Sequence, residues 1–310
     1  MIQIEPSTQT RLIGLDKYMI DLIRLFKINK LPNKILISGQ KGIGKSTLAY
    51  HLINYILSKD EEFSYDFIKF EINSNNHSFK TVLNKSNINF FLIDIILENK
   101  SIDINQIREL KAKLNKSSLN NKPRFILIDN IEYLNTNSIN SLLKVLEEPS
   151  ENIYFILINN NKRILKTLLS RCVEYKISLS NNENLDIANK LFNDKLNNFI
   201  SKDLLNYYIS PGNIYNLIKF SLNNKYNLKE MNLKDLLKTI ITNEHYKKDN
   251  SFKYLFYDLI EFYFSIANYS MSHFLNDKYN YFLKRISETK KFNLDEESLF
   301  IEFEDKILDG

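Results

Sequence analysis

Over roughly its first 180 residues the chain alternates short apolar runs with stretches whose apolar positions recur every three to four residues. The runs are Lys34-Ile35-Leu36-Ile37-Ser38, Asp66-Phe67-Ile68-Lys69-Phe70-Glu71-Ile72, Phe125-Ile126-Leu127-Ile128-Asp129, Ile153 to Ile158, and Val173 to Ile177. Continuous apolar runs of this length suit strands buried on both faces, and the 3.6-residue period between them suits covering helices. The pattern predicts an α/β fold: a five-stranded parallel sheet with helices on both faces. One helix is expected over Ser46 to Leu57, with Leu48, Ala49, Leu52, Ile53 and Ile56 on its apolar side. A second follows Asp103 as N-cap, burying Ile104, Ile107, Leu110 and Leu114 and exposing Arg108, Glu109, Lys111 and Lys113. A third runs from Ser138 to Glu148, capped by Thr136 or Asn137 and stopped by Pro149.

From about residue 178 the short runs end and helical periodicity takes over, which places a domain boundary there. Asn182 to Asn193, Lys202 to Ile209 and Pro211 to Leu222 read as a small three-helix unit. The helical region beyond is dense in aromatics, among them Phe252, Tyr254, Phe256, Tyr257, Phe262, Tyr263, Phe264, Tyr269, Phe274, Tyr279, Tyr281 and Phe282. At helical spacing these read as core or helix–helix interface rather than as a base-stacking platform. Asp258, Glu261 and Asp277 interrupt them and count against a membrane segment.

Glycine occurs only six times, yet Gly39, Gly42 and Gly44 fall within six residues of one another, in Gly39-Gln40-Lys41-Gly42-Ile43-Gly44-Lys45-Ser46-Thr47. The segment matches G-x-x-x-x-G-K-[ST] and lies between a predicted strand and a predicted helix, the order a phosphate-binding loop requires. Backbone amides of such a loop turn inward around an anion, and the helix N-terminus adds partial positive charge. In that motif Lys45 is expected to reach the terminal phosphates and Ser46 to ligate Mg²⁺.

Phe125-Ile126-Leu127-Ile128-Asp129 is an apolar strand ending in a carboxylate, placed where Asp129 holds the Mg²⁺ ion directly or through water. Hydrolytic motors of this kind need a second carboxylate next, to orient and polarise the attacking water. Asn130 stands there and cannot take a proton, and Glu132 is three residues past the strand. The expectation is nucleotide binding without robust self-catalysed hydrolysis. Arginine is scarce, seven against 35 lysines among the 42 basic residues, so Arg171 in Leu168-Leu169-Ser170-Arg171-Cys172 stands out. Its planar fork suits bidentate contact with a phosphate held by a neighbouring subunit, and it equally suits a surface ion pair.

The remaining composition narrows little. With 44% hydrophobic and 25% charged residues the composition is that of an ordinary soluble protein, and Met1 to Pro6 lack the basic stretch and apolar run of a secretory signal, so the expected location is cytoplasmic. One cysteine, Cys172, excludes internal disulfides and a cysteine-rich zinc site. A net charge of +5 from scattered lysines permits a phosphate-bearing partner such as DNA without demanding one.

These residues resemble a known family, the AAA+ subunits of the bacterial DNA polymerase III clamp loader, and within it the delta-prime type. The resemblance spans most of residues 11–220 and rests on Ile13-Gly14, the 39–47 loop, Ile104-Asn105-Gln106-Ile107-Arg108-Glu109-Leu110, the strand ending at Asp129, Leu142-Leu143-Lys144-Val145-Leu146-Glu147-Glu148-Pro149, Ser170-Arg171-Cys172 and Ser210-Pro211-Gly212. It implies an AAA+ core at 1–177, a helical lid at 178–222 and a helical collar at 223–310. It implies ATP and Mg²⁺ at Gly39, Gly42, Gly44, Lys45, Ser46, Thr47 and Asp129, with Asn159 or Asn160 as the sensor ending the fourth strand. Arg171 becomes an arginine finger acting in trans. The implied partners are the other subunits of a hetero-pentameric ring, the sliding clamp and primed DNA. Motor subunits of the tau/gamma type resemble this chain too, but carry a four-cysteine zinc module that one cysteine cannot build. Some relatives place an arginine after the Ser-Pro-Gly turn, where this chain has Asn213. The resemblance therefore implies a stator with little hydrolysis of its own, the alternative being an ATP-hydrolysing motor subunit or another AAA+ ATPase.

Overall fold

A computed structural model describes residues 5–95, 101–115, 120–147, 152–192, 196–205, 209–248, 255–264, 273–292 and 294–309. The chain divides into two compact units, Met1–Ile187 and Ala188–Gly310.

The first unit is built on a parallel sheet of β1 (Lys34–Ser38), β2 (Phe90–Ile93), β3 (Arg124–Ile128), β4 (Ile153–Asn159) and β5 (Val173–Lys176), in the order β2-β3-β4-β1-β5. The helices are α1 (Asp16–Lys27), α2 (Lys45–Leu57), α3 (His77–Leu83), α4 (Ile104–Leu114), α5 (Thr136–Glu147), α6 (Lys166–Leu169) and α7 (Asn181–Phe192), the last crossing the unit boundary. One parity of strand residues, Leu36, Ile126, Ile128, Phe155 and Leu157, packs with Ile107 and Leu110 of α4 and Leu142 and Leu146 of α5. The other parity, Ile35, Ile37, Phe125, Leu127, Ile156 and Ile158, is equally buried, and Phe26 of α1 meets Tyr154 edge-on at 6.4 Å. The three central strands β1, β3 and β4 are covered on both faces, which is why they read as unbroken apolar runs.

The second strand is not where the pattern places it. Residues 66–72 form a tight turn in which Asp66 Oδ1 accepts from the amides of Ile68 and Lys69, both at 3.0 Å. Phe70 takes φ +53° and Ile68 is 90% exposed. An aspartate that caps its own following amides competes with ladder pairing, and here it wins. The strand position is filled by Phe90–Ile93, a shorter apolar run closed by Asp94.

Two caps also differ. Asp103 occupies the N-cap of α4 without bonding its backbone, its Oδ2 accepting instead from Asn105 Nδ2 at 2.9 Å. At α5 the capping oxygen belongs to Asn135, whose Oδ1 accepts from the Ser138 amide at 2.8 Å, and not to Thr136 or Asn137. Glu148 and Pro149 lie outside the described residues.

The second unit is helical: α8 (Lys202–Leu205), α9 (Pro211–Asn224), α10 (Leu233–Thr242), α11 (His245–Lys248), α12 (255–264), α13 (His273–Phe292) and α14 (Glu296–Phe303). Ser210 caps α9, accepting from the Asn213 amide at 3.3 Å, with Pro211 in the first turn where its missing N–H costs nothing. Phe256, Phe264, Phe282, Phe300 and Phe303 are all less than 2% exposed. Their rings meet at 4.8 Å (Phe256–Phe300) and 5.5 Å (Phe264–Phe303). The aromatic stripe is core at these positions; Phe252, Tyr254, Tyr269 and the Phe274 side chain lie outside the described residues. Among the described residues no helix is long and apolar enough to cross a membrane.

Candidate phosphate-binding site

Three elements end at one rim of the sheet: β1 at Ser38, β3 at Ile128 and β4 at Asn159. Carboxyl ends of parallel strands are where open α/β sheets bind ligands. The 39–47 loop leaves β1 there and enters α2. Gly44 is the residue before the helix, with φ +93°, a backbone region that side chains resist. Gly39 donates its amide to Asn159 O at 3.3 Å, and a Cβ at Gly39 would lie 2.4 Å from the carbonyl oxygen of Ile177. Thr47 is half-buried on the first turn of α2.

Lys45 is 3% exposed. Its Nζ donates to Gly39 O (2.9 Å), Gln40 O (2.6 Å) and Asn160 Oδ1 (2.9 Å), which uses all three donors. Burial lowers its pKa to about 8, against the opposing charges of Asp129 and Glu132. Ser46 Oγ donates to Asp129 Oδ2 at 2.6 Å, so the two residues read from separate motifs are joined directly. Burial raises the Asp129 carboxyl to about 6, with a smaller push from Asp94 opposed by the Ser46 bond.

The structure separates the two asparagines that end β4. Asn159 turns its side chain to Lys162, Nδ2 donating to Lys162 O (3.0 Å) and Oδ1 accepting from Lys162 N (3.2 Å). It joins the loop only through its backbone oxygen. Asn160 is the one that reaches Lys45, and its Nδ2 donates to Asn130 Oδ1 (2.9 Å) and Glu132 Oε1 (2.8 Å). Asn130, at φ +53°, passes the chain on, Nδ2 donating to Asp94 Oδ1 at 2.9 Å. Glu132 thus points into the cluster, a direction that its place three residues past the strand leaves open. Asp94 is a site neighbour that the sequence reading missed. The signal was present, since Asp94 ends the run Phe90-Phe91-Leu92-Ile93 as Asp129 ends its own.

The donor set fits Mg²⁺ held with a polyphosphate. A hydroxyl and a carboxylate side by side are hard oxygen donors, and Mg²⁺ is ordinarily held by one or two protein groups plus phosphate oxygens and water. Among the described residues no three His, Cys, Asp or Glu side chains gather as an all-protein metal site. Cys172 is half-buried, and burial pushes its thiol up to about 11.

Arg171 lies apart from this cluster. Its Nε donates to Glu147 Oε1 at 2.9 Å, Nη2 donates to the same oxygen, and Nη1 donates to Thr167 O at 2.8 Å. The pair is surface-lying, with side chains 33% and 54% exposed.

A phosphate-binding loop leaving β1, with β1 between β4 and β5 in a five-stranded parallel sheet, defines a P-loop module of the AAA+ class. Residues 14–181 match the family described as "DNA polymerase III, delta subunit", and the chain belongs to that family. It is 29% identical over 232 residues to DNA polymerase III subunit delta' of Buchnera aphidicola subsp. Schizaphis graminum, covering 67% of this chain and 66% of the relative. It is 31% identical over 169 residues to DNA polymerase III subunit delta' of Buchnera aphidicola subsp. Baizongia pistaciae, covering 51% of this chain and 47% of the relative. The chain thus spans between about half and two thirds of the lengths of these relatives. A crystal structure of a DNA polymerase III gamma subunit-related protein from Thermotoga maritima shares the fold, with TM-score 0.52 at 18% identity, covering 90% of this chain and 96% of that one.

Proposed function

We propose that this chain is a delta-prime-type stator subunit of a DNA polymerase III clamp loader, holding ATP at residues 39–47 with little hydrolysis of its own. In this reading residues 1–177 are the nucleotide-binding core, 178–222 a lid and 223–310 a collar. The collar joins the chain to the other subunits of a hetero-pentameric ring in the cytoplasm, and the ring acts on the sliding clamp and primed DNA. Gly39, Gly42 and Gly44 let the backbone close on the phosphates, and Lys45 exchanges two carbonyl partners for charged oxygens, which favours its ammonium form. Mg²⁺, when bound, neutralises charge on the phosphate oxygens, with Ser46 and Asp129 as its protein ligands.

The observation that carries the stator reading is the position after Asp129. Asn130 offers no carboxylate, and both ends of its amide are committed, to Asn160 and to Asp94. A water at the terminal phosphate therefore has no proton acceptor from this position. Arg171 is the group lent to a neighbour: an exposed pair with Glu147 is worth at most about 1 kcal/mol, so exchanging that carboxylate for a phosphate is inexpensive. Turnover measured for the chain alone and for the reconstituted complex tests this. The expected result is ATP binding with negligible turnover alone, and complex activity that depends on Arg171.

One observation favours the motor reading. Glu132 directs a carboxylate into the cluster, one oxygen bonded to Asn160 and the other buried. Brisk ATPase of the isolated chain, abolished by Glu132→Gln, decides for it.

A further inference from the structure

β2 (Phe90–Ile93) is an edge strand: it pairs with β3 on one side, and among the described residues no strand pairs with it on the other. The β3 ladder fixes which of its backbone groups face outward. Asn89 O accepts from the Phe125 amide at 2.7 Å and Ile93 O accepts from the Asp129 amide at 2.9 Å, so Asn89, Phe91 and Ile93 turn their backbone toward β3. Phe90 and Leu92, between them, turn theirs the other way. The Phe90 amide reaches only the Asn87 carbonyl, at 3.4 Å, and Leu92 is 45% exposed. A strand edge in this condition is a template for another strand.

The edge lies in a cleft of about 530 Å³ that takes in both faces of β2. Phe90 faces α2, its ring 5.6 Å from that of Tyr50, and Val82 and Leu83 of α3, which packs on α2, line the cleft. Phe91 faces the opposite way, into the core cluster that holds Leu110 of α4, and Leu110 lines the cleft as well. An extended chain sends alternate side chains to opposite faces of a sheet, so both apolar walls are within its reach.

Charge narrows the occupant further. Lys85 and Lys113 line the cleft, Glu109 is its one acidic lining residue, and neither lysine has an ion-pair partner among the described residues. The segments that form the walls, 77–89 and 104–114, also carry Lys80, Arg108 and Lys111 and no acid besides Glu109. Two copies of this edge laid together bring like charges together, which disfavours self-pairing. Outward backbone groups and an apolar floor suit a polypeptide better than a nucleic acid, which has no strand to add.

We propose that the β2 edge docks an acidic segment of a partner protein, bound in extended form as a sixth strand, with apolar residues over β2 and Asp or Glu beside them. Backbone bonds to Phe90 and Leu92 hold it, the two apolar walls take its side chains, and Lys85 and Lys113 select its charge.

The test is fluorescence anisotropy of a labelled peptide, Asp-Asp-Val-Ile-Val-Ile-Asp-Asp, titrated with the full chain, beside its Lys-for-Asp counterpart and a labelled thymidine oligonucleotide. Wild type is expected to bind the acidic peptide at least about tenfold tighter than either of the others. Lys85→Glu combined with Lys113→Glu is expected to weaken that binding at least about tenfold. Leu92→Pro removes an outward amide and no bond to β3, and is expected to weaken it to a similar degree. Thermal unfolding checks that each variant folds, and the charge variant, altered only at exposed positions, serves if Leu92→Pro does not. An acidic peptide bound no better than the basic one, or an affinity that survives the variants, overturns the proposal. Tighter binding of the oligonucleotide also overturns it and reassigns the basic walls to nucleic acid.

Discussion

Lys45 Nζ lies 2.9 Å from Asn160 Oδ1, and this contact sets the direction of the hydrogen bonds beyond it. An ammonium only donates, so Asn160 must face it with oxygen and turn its nitrogen to Asn130 and Glu132. Asn130 then presents oxygen to Asn160 and nitrogen to Asp94, a carboxylate that ends the relay as an acceptor. Donor polarity runs one way from the loop to the end of the edge strand β2.

Removing the middle of that relay should be costly. Asn160→Ala is expected to lower unfolding free energy by about 1–3 kcal/mol, because it strands a Lys45 donor and partners of Asn130 and Glu132. It should also weaken ATP binding. Asn159→Ala, which removes side-chain hydrogen bonds to Lys162 alone, should leave ATP affinity within about twofold. Urea unfolding and calorimetry on both variants check the contrast.

Stability should depend on pH through His51, which is completely buried. Its Nε2 faces the Gln9 carbonyl at 3.1 Å and must carry the proton, so Nδ1 accepts from the Tyr65 hydroxyl at 2.9 Å. Burial lowers its pKa to about 4. Between that value and the ordinary one near 6.5, the unfolded chain binds a proton that the folded chain does not, so stability falls as pH falls. The expected loss is roughly 3 kcal/mol from pH 7.5 to pH 4. Urea midpoints across this range should flatten in His51→Leu, although that variant is less stable throughout.

Arg171→Ala should fold normally, within about 1 kcal/mol of wild type, because the Glu147 pair is solvent-screened. The reconstituted complex carrying it should lose at least about tenfold in ATPase rate, in line with the weight of arginine fingers elsewhere. An unchanged rate refutes the trans role.

Gly39→Ala should destabilise the first unit by about 1–3 kcal/mol, since its Cβ runs into the Ile177 backbone rather than into a side chain that can swing away. Nucleotide affinity should fall with it. Urea unfolding reports the first effect and calorimetry the second.

Local patterning determined much of this protein. Unbroken apolar runs at β1, β3 and β4 marked strands covered on both faces, because burial on two sides removes the alternation that a half-exposed strand would show. The glycine spacing at 39–44 marked the loop, because such a backbone path excludes most side chains. Tertiary structure decided what spacing leaves open. Residues 66–72 have the composition of a strand, but the Asp66 carboxylate closes them into a turn, and β2 is taken by 90–93. Asn159 and Asn160 are chemically the same, and only the direction of the chain leaving β4 sends one to Lys162 and the other to Lys45. Adjacent residues ending a strand point to opposite sides, and sequence does not say which side holds the lysine. Asp94 and Asn130 are 36 positions apart in sequence, and their 2.9 Å contact exists because β2 and β3 pair in register.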